Sequence, residues 1–173
     1  YLSAAKSVYR SLEEIYNDDS EDSEIYKVVA DIVGSEYGDL DISLKPGKRK
    51  KFFASAITGD GVVNYITSLL GDMKRVYMID SPVGYSNSSF MEIVTEGAIY
   101  RGLDVEVYYC PMCPEEKIEH IVIPELKTAF VTMNRYHDIQ PWEIPAPDES
   151  GQEIILIDME DYMNILNIGK NSE

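Results

Sequence analysis

Two stretches of the chain hold residue types whose spacing can do chemistry. In "IDSPVGYSNSS" (Ile79–Ser89) a polar turn joins a strand-like run, "RVYMI", to a helix-like run over residues 87–101. This is the layout of a phosphate-binding loop, G-x-x-x-x-G-K-[ST]. There the glycines let backbone N–H groups curl round phosphates, the Lys reaches the β/γ-phosphates and the hydroxyl ligates Mg²⁺. Laid over that pattern, Ser81 and Ser86 stand at the two glycines, Asn87 stands at the lysine, and Ser88 keeps the hydroxyl. Gly84 adds a glycine where many such loops have one. A charged hydrogen bond contributes about 1.5–3 kcal/mol, so losing the ammonium weakens polyphosphate binding by roughly one to two decades. The helix start still offers free N–H groups and a positive dipole end, with hydroxyls on Ser86, Ser88 and Ser89, which suits a weak anion site at best.

The second stretch is "YYCPMCPEE", with Cys110 and Cys113 in a C-x-x-C spacing after a strand-like run. Such a pair suits either a thiol redox centre or half of a zinc site. The chain has two Cys and two His, so Cys110, Cys113, His120 and His137 form the arithmetically possible zinc set. A lone C-x-x-C with scattered His is a weak signal. The structural alternative is one Cys at a strand end and one in a loop.

The elements that must position these groups alternate along the chain. "YLSAAKSVYRSLEEIY" and "EIYKVVADIVG" have apolar residues at helical spacing, giving a helical segment over 1–36. Residues 37–50, rich in Gly and charge, read as a linker. In 51–173, "KFFASAIT", "RVYMI", "DVEVYYC", "KTAFVTM" and "QEIILID" read as strands, "GDGVVNYITSLLG" and 87–101 as helices, and "EHIVI" as a short apolar segment. A Pro-rich loop carries Trp142, expected to pin that loop onto the domain, and "MEDYMNILNIG" reads as a closing helix. Alternation of this kind predicts an α/β fold, a parallel sheet flanked by helices on both faces. In an open parallel sheet, ligands sit beyond the carboxyl ends of the strands. That edge would gather Ser86–Ser88 of the loop with Cys110, Thr132 and His137 into one cleft.

Composition narrows the partners. The 173 residues carry a formal charge of −16, which disfavours nucleic acid and anionic membrane. The one basic cluster, "KPGKRKK", reads as solvated. Without a signal-like start, a transmembrane-length run or a disulfide framework, the expected compartment is the cytoplasm.

The stretches "YLSAAKSVYRSLEEIY", "FFASAITGDGVVNYI", "GLDVEVYYC" and "EHIVIPELKTAFV" resemble, in order, the second half of a family of P-loop ATPase-like proteins of clostridia and bacilli. Members look like tandem duplications with one P-loop NTPase-like unit in each half. The resemblance implies that residues 1–36 are the connector from a preceding half, that 51–173 are a P-loop NTPase-like α/β domain, and that the chain is the C-terminal part of a longer protein. It also implies what has changed. Where the family has L-K-G-x-P-G-T-G-K-S-T, Asp80 replaces a Lys, Ser81 and Ser86 replace Gly, and Asn87 replaces the phosphate-binding Lys. Where the family strand ends A-I-V-D-G-T-A-P-H, Thr132 replaces the Asp expected to serve metal or water, while His137 and the Glu125 of "IPEL" match.

These substitutions remove a cation and a carboxylate on which phosphoryl transfer relies. The expectation is a degenerate nucleotide-binding half, structural or regulatory, without catalytic residues or resident cofactor. Its partner would be the preceding half, with ATP/Mg or phosphate held weakly if at all. The competing readings are an active NTPase or kinase with a non-standard loop, and a module built on Cys110 and Cys113.

Overall fold

The computed structural model describes residues 3, 6–8, 10, 11, 23–83, 85, 87–145 and 151–162. Of the first expected helix, the described residues are helical. Gly84, Ser86, the tip of the Pro-rich loop at 146–150 and most of the closing helix lie outside the described residues.

The elements run α1 (Ser23–Tyr37), β1 (Arg49–Phe52), β2 (Ser55–Thr58), β3 (Gly61–Asn64), α2 (Thr67–Leu70), β4 (Arg75–Asp80), α3 (Ser88–Tyr100), β5 (Val105–Tyr109), β6 (Ile118–Ile123), β7 (Thr128–Met133) and β8 (Glu153–Asp158). Single 3₁₀ turns follow at Pro141–Glu143 and Met159–Tyr162. Six strands form one sheet in the order β1-β5-β6-β7-β4-β8, and β2 pairs with β3 in a separate hairpin.

The sheet is mixed, which corrects the expected all-parallel arrangement. β1 runs parallel to β5, and β4 runs parallel to both β7 and β8, but β6 is antiparallel to both of its neighbours. Parallel neighbours need a crossover of a dozen or more residues. The links on either side of β6, 110–117 and 124–127, are too short for one. A second correction concerns "GDGVVNYITSLLG". Its first residues complete a hairpin, with Thr58 paired to Gly61 and Gly61 at φ 118°, and only Thr67–Leu70 is helical. "KFFASAIT" is likewise two strands, the first in the main sheet and the second in the hairpin.

Alternation along the strands builds a core on each face. Tyr77 and Ile79 of β4, Phe130 of β7 and Ile121 of β6 point to one side, where Val29 and Ile32 of α1 and Phe90, Met91 and Val94 of α3 cover them. The Tyr77 and Phe130 rings stack with centroids 4.6 Å apart. Gly97 lets α1 approach α3 closely: a Cβ there would lie 3.2 Å from the Tyr37 ring. Val76, Met78, Val122, Ala129 and Val131 point the other way, against Ile66 and Leu70 of the α2 region and Ile139 and Ile144 of the Pro-rich loop.

The 37–50 segment is strapped to the domain. Ser43 N–H bonds Tyr100 O and Gly47 N–H bonds Ile99 O, both at 2.9 Å. Of its basic residues, Arg49 pairs with Glu92 and Glu96, and Lys50 with Asp104. Trp142, expected to pin its loop, is 80% exposed. Ile139 and Ile144 of the same loop are the residues that enter the core.

Candidate functional site

β4, β5 and β7 all end at one edge of the sheet, and β6, running the other way, begins there. That edge holds three distinct places rather than the single cleft expected.

The first is the β4–α3 turn. Asn87, at the start of α3, is 2% exposed, and its side chain points inward. Its Nδ2 donates to Ser81 Oγ at 3.0 Å and to Thr132 Oγ1 at 3.3 Å. Asn87 Oδ1 has no partner among the described residues. Asn87 thus bridges Ser81 at the end of β4 and Thr132 of β7. The hollow beside Ser81, about 260 Å³, is bordered by Asp80, Asp158 and Glu160 with Arg135. Asp80 and Asp158 are register partners at the ends of β4 and β8.

The second place is where Ser88 and Ser89 open. They border a wider hollow of about 660 Å³ together with Arg49, Lys51, Glu92 and Glu116. Ser81 is not part of its lining, so the described loop residues do not converge on one cradle.

The third place is a mainly apolar pocket of about 390 Å³ between the hairpin and the strand ends. Ile57, Val62, Val83 and Met112 wall it, and Cys110, Glu119 and His137 supply polar groups. Cys110 and His137 both line this pocket, without the serines of the β4–α3 turn that the expected cleft included. Thr132 does not join them, because it lies on the helix face with Phe130, two residues before it. Glu125 sits exposed in the β6–β7 turn at the opposite edge of the sheet.

Glu119 is the residue that sequence reasoning missed. "EHIVI" reads as an apolar run, so Glu119 drew no attention, although its neighbour His120 was counted in the possible zinc set. The β5–β6 register shifts between Tyr108 and Tyr109, so Tyr109 faces Ile118 but Tyr108 faces His120. Glu119 is the extra residue of this bulge, and bulges re-aim side chains next to sites. Its Oε1 lies 3.2 Å from His137 Nε2, with both side chains buried.

The tautomer of His137 follows from its neighbours. Ile66 N–H donates to Asn64 Oδ1 at 2.9 Å, which turns Asn64 Nδ2 toward His137 Nδ1 at 3.0 Å. Nδ1 is therefore the acceptor, and the proton sits on Nε2, donated to Glu119. Burial would raise the Glu119 carboxyl, but the hydrogen bond from His137 opposes it and holds the carboxyl below its ordinary range. Burial, and then the charge of Glu119, push the Cys110 thiol up to about 12. This is the reverse of the lowering that a reactive thiol needs. Both cysteines are buried and free.

His120 is 0% exposed, and neither ring nitrogen has a partner among the described residues. Its ring meets that of His137 edge to face at 5.1 Å. Burial pushes its imidazole down to about 3, so it is neutral. Among the described residues, Glu119, His120 and His137 are the group whose donor atoms all lie within 4.8 Å of one another. Neither cysteine belongs to that group. No helix among the described residues is long and apolar enough to cross a membrane.

Comparison of the chain with protein-family models, with curated proteins and with solved structures finds no match.

Proposed function

We propose that this chain is a degenerate P-loop-like unit that has given up nucleotide hydrolysis and acts as a structural or regulatory partner of a second, nucleotide-competent unit. The observation that carries this reading is the buried Asn87–Ser81–Thr132 cluster. A phosphate loop needs these positions open, with a cation reaching outward and a carboxylate beside it. Here they are buried, and Asn87 Nδ2 donates to both hydroxyls. Three carboxylates around the Ser81 hollow further oppose a polyphosphate. The setting suits the ancestry, since β4 lies directly between β7, which carries Thr132, and β8. Phe53, Val62 and Tyr65 on and beside the hairpin are exposed apolar residues available to a partner.

Calorimetric titration with Mg-ATP and Mg-GTP tests the reading. The expected result is no binding tighter than about 100 µM, and tighter binding overturns the proposal. A companion variant, Ser81→Gly with Ser86→Gly, Asn87→Lys and Thr132→Asp, restores the motif. Measurable Mg-ATP binding by the folded variant supports the ancestry.

A further inference from the structure

We propose that Glu119, His120 and His137 form a binding site for one divalent transition-metal ion, with the ion's remaining coordination position facing the apolar pocket. The site is independent of the phosphate-loop reading and uses none of its residues.

Three observations converge on it. The donor set is two imidazoles and one carboxylate, which suits zinc or ferrous iron and, with three protein ligands, leaves a position open. The spacing fits: ligands about 2.0–2.1 Å from a tetrahedral ion lie roughly 3.3 Å apart, and Glu119 Oε1 and His137 Nε2 are 3.2 Å apart. The third observation is His120. A buried polar group without a partner is costly and needs an explanation. His120 has two such atoms, and a donor atom of its ring lies within 4.8 Å of both other donors. An ion there gives one of those nitrogens a partner. Glu119 and His137 border the pocket and His120 does not, so the open position is on the pocket side.

Uptake requires one rearrangement, and it can be named. His137 now carries its proton on Nε2, the nitrogen that must ligate. The proton must leave Nε2 and return on Nδ1, so the imidazole stays neutral. Nδ1–H then faces Asn64 Nδ2, two donors in opposition, until Asn64 turns its oxygen round. That turn takes the acceptor away from Ile66 N–H. An aspartate at 64 removes the conflict, because one oxygen keeps Ile66 N–H and the other receives Nδ1–H. Carboxylate–histidine–metal arrangements of this kind strengthen ligation. The pocket walls favour a small, largely apolar molecule with a single oxygen donor to complete the coordination.

The test uses the whole purified chain, freed of metal and then titrated with Zn²⁺ and Co²⁺. The expected result is one ion per chain, with Co²⁺ ligand-field bands of a nitrogen and oxygen site and no intense thiolate-to-metal charge transfer. Glu119→Gln and His137→Gln should each weaken binding at least tenfold, and Asn64→Asp should tighten it by roughly tenfold. A medium-chain carboxylate should shift the Co²⁺ bands, and inorganic phosphate should not. Circular dichroism identifies any variant that fails to fold, and the spectrum of the unaltered chain needs no variant. Failure of the folded chain to take up metal overturns the proposal. So does a thiolate spectrum lost in the Cys110→Ser, Cys113→Ser double variant, which would assign the ion to the cysteines.

Discussion

Two buried carboxylates lie at opposite edges of the same sheet. Glu36, at the end of α1, is near the amino ends of β4 and β7, and its side chain is 3% exposed. One oxygen takes hydrogen bonds from Arg75 and from Tyr77 OH, and the other from Thr128 Oγ1 at 3.2 Å. Arg75 also pairs with Glu153. Glu119, at the other edge, is held by His137 and Cys110 but borders a pocket and stands beside a histidine without partners. Glu36 ties a helix to the starts of two strands; it too borders a hollow, of about 570 Å³, but both of its oxygens are already engaged. Glu119 sits where the polar atoms are incompletely satisfied and space adjoins them. A complete network reads as architecture, and an incomplete one beside a cavity reads as a place for something else.

Mutation separates the two carboxylates. The largest effect belongs to Glu36→Ala, which removes charge-assisted bonds to two hydroxyls. Each contributes about 1.5–3 kcal/mol; counting little for the partly exposed Arg75, the loss is about 3 kcal/mol in urea denaturation. A loss under about 1 kcal/mol would remove Glu36 as the structural member of the pair. His120→Leu should act in the opposite sense. In metal-free protein it replaces an unpartnered buried imidazole with an apolar group of similar size, so stability should rise by about 1–2 kcal/mol. Destabilisation would mean that His120 already has a partner and that its surroundings are as complete as those of Glu36. Thr132→Val leaves Asn87 bonded to Ser81 alone and should lower the melting stability by about 1 kcal/mol. Trp142→Ala should change thermal stability by less than about 0.5 kcal/mol, since the side chain lies in solvent.

Much of the fold is legible from particular residues. "RVYMI" and the helix over 87–101 fall close to the observed Arg75–Asp80 and Ser88–Tyr100 because a continuous apolar run and a 3.6-residue period are unambiguous there. Val62, Val63, Ile66, Leu69 and Leu70 fit a helical period equally well, and that fit obscured the hairpin. The "TGDG" turn before them was the contrary signal, with a glycine at the position that needs positive φ. The direction of β6 was also readable, from connections too short to carry a crossover. At the candidate site, Cys110 and His137 could be placed at one edge from strand ends alone. Glu119 could not, because its orientation depends on a one-residue bulge that no local pattern announces. The pairing of Asn87 with Thr132 is likewise long-range, set by the adjacency of β4 and β7.

The reversed direction of β6 also has a consequence for how the chain assembles. β5, β6 and β7 are neighbours both along the chain and across the sheet, whereas Arg49 must wait for Val105 and Arg75 for Glu153. Short closures sacrifice the least chain entropy, so this three-strand meander is the natural nucleus, with β1 and β8 added at the edges afterwards. Core substitutions in residues 105–133 should therefore slow refolding in stopped-flow measurements, while those in β8 should chiefly hasten unfolding. Glu119 and His120 would then be set in place early, before the hairpin that closes over them has a surface on which to dock.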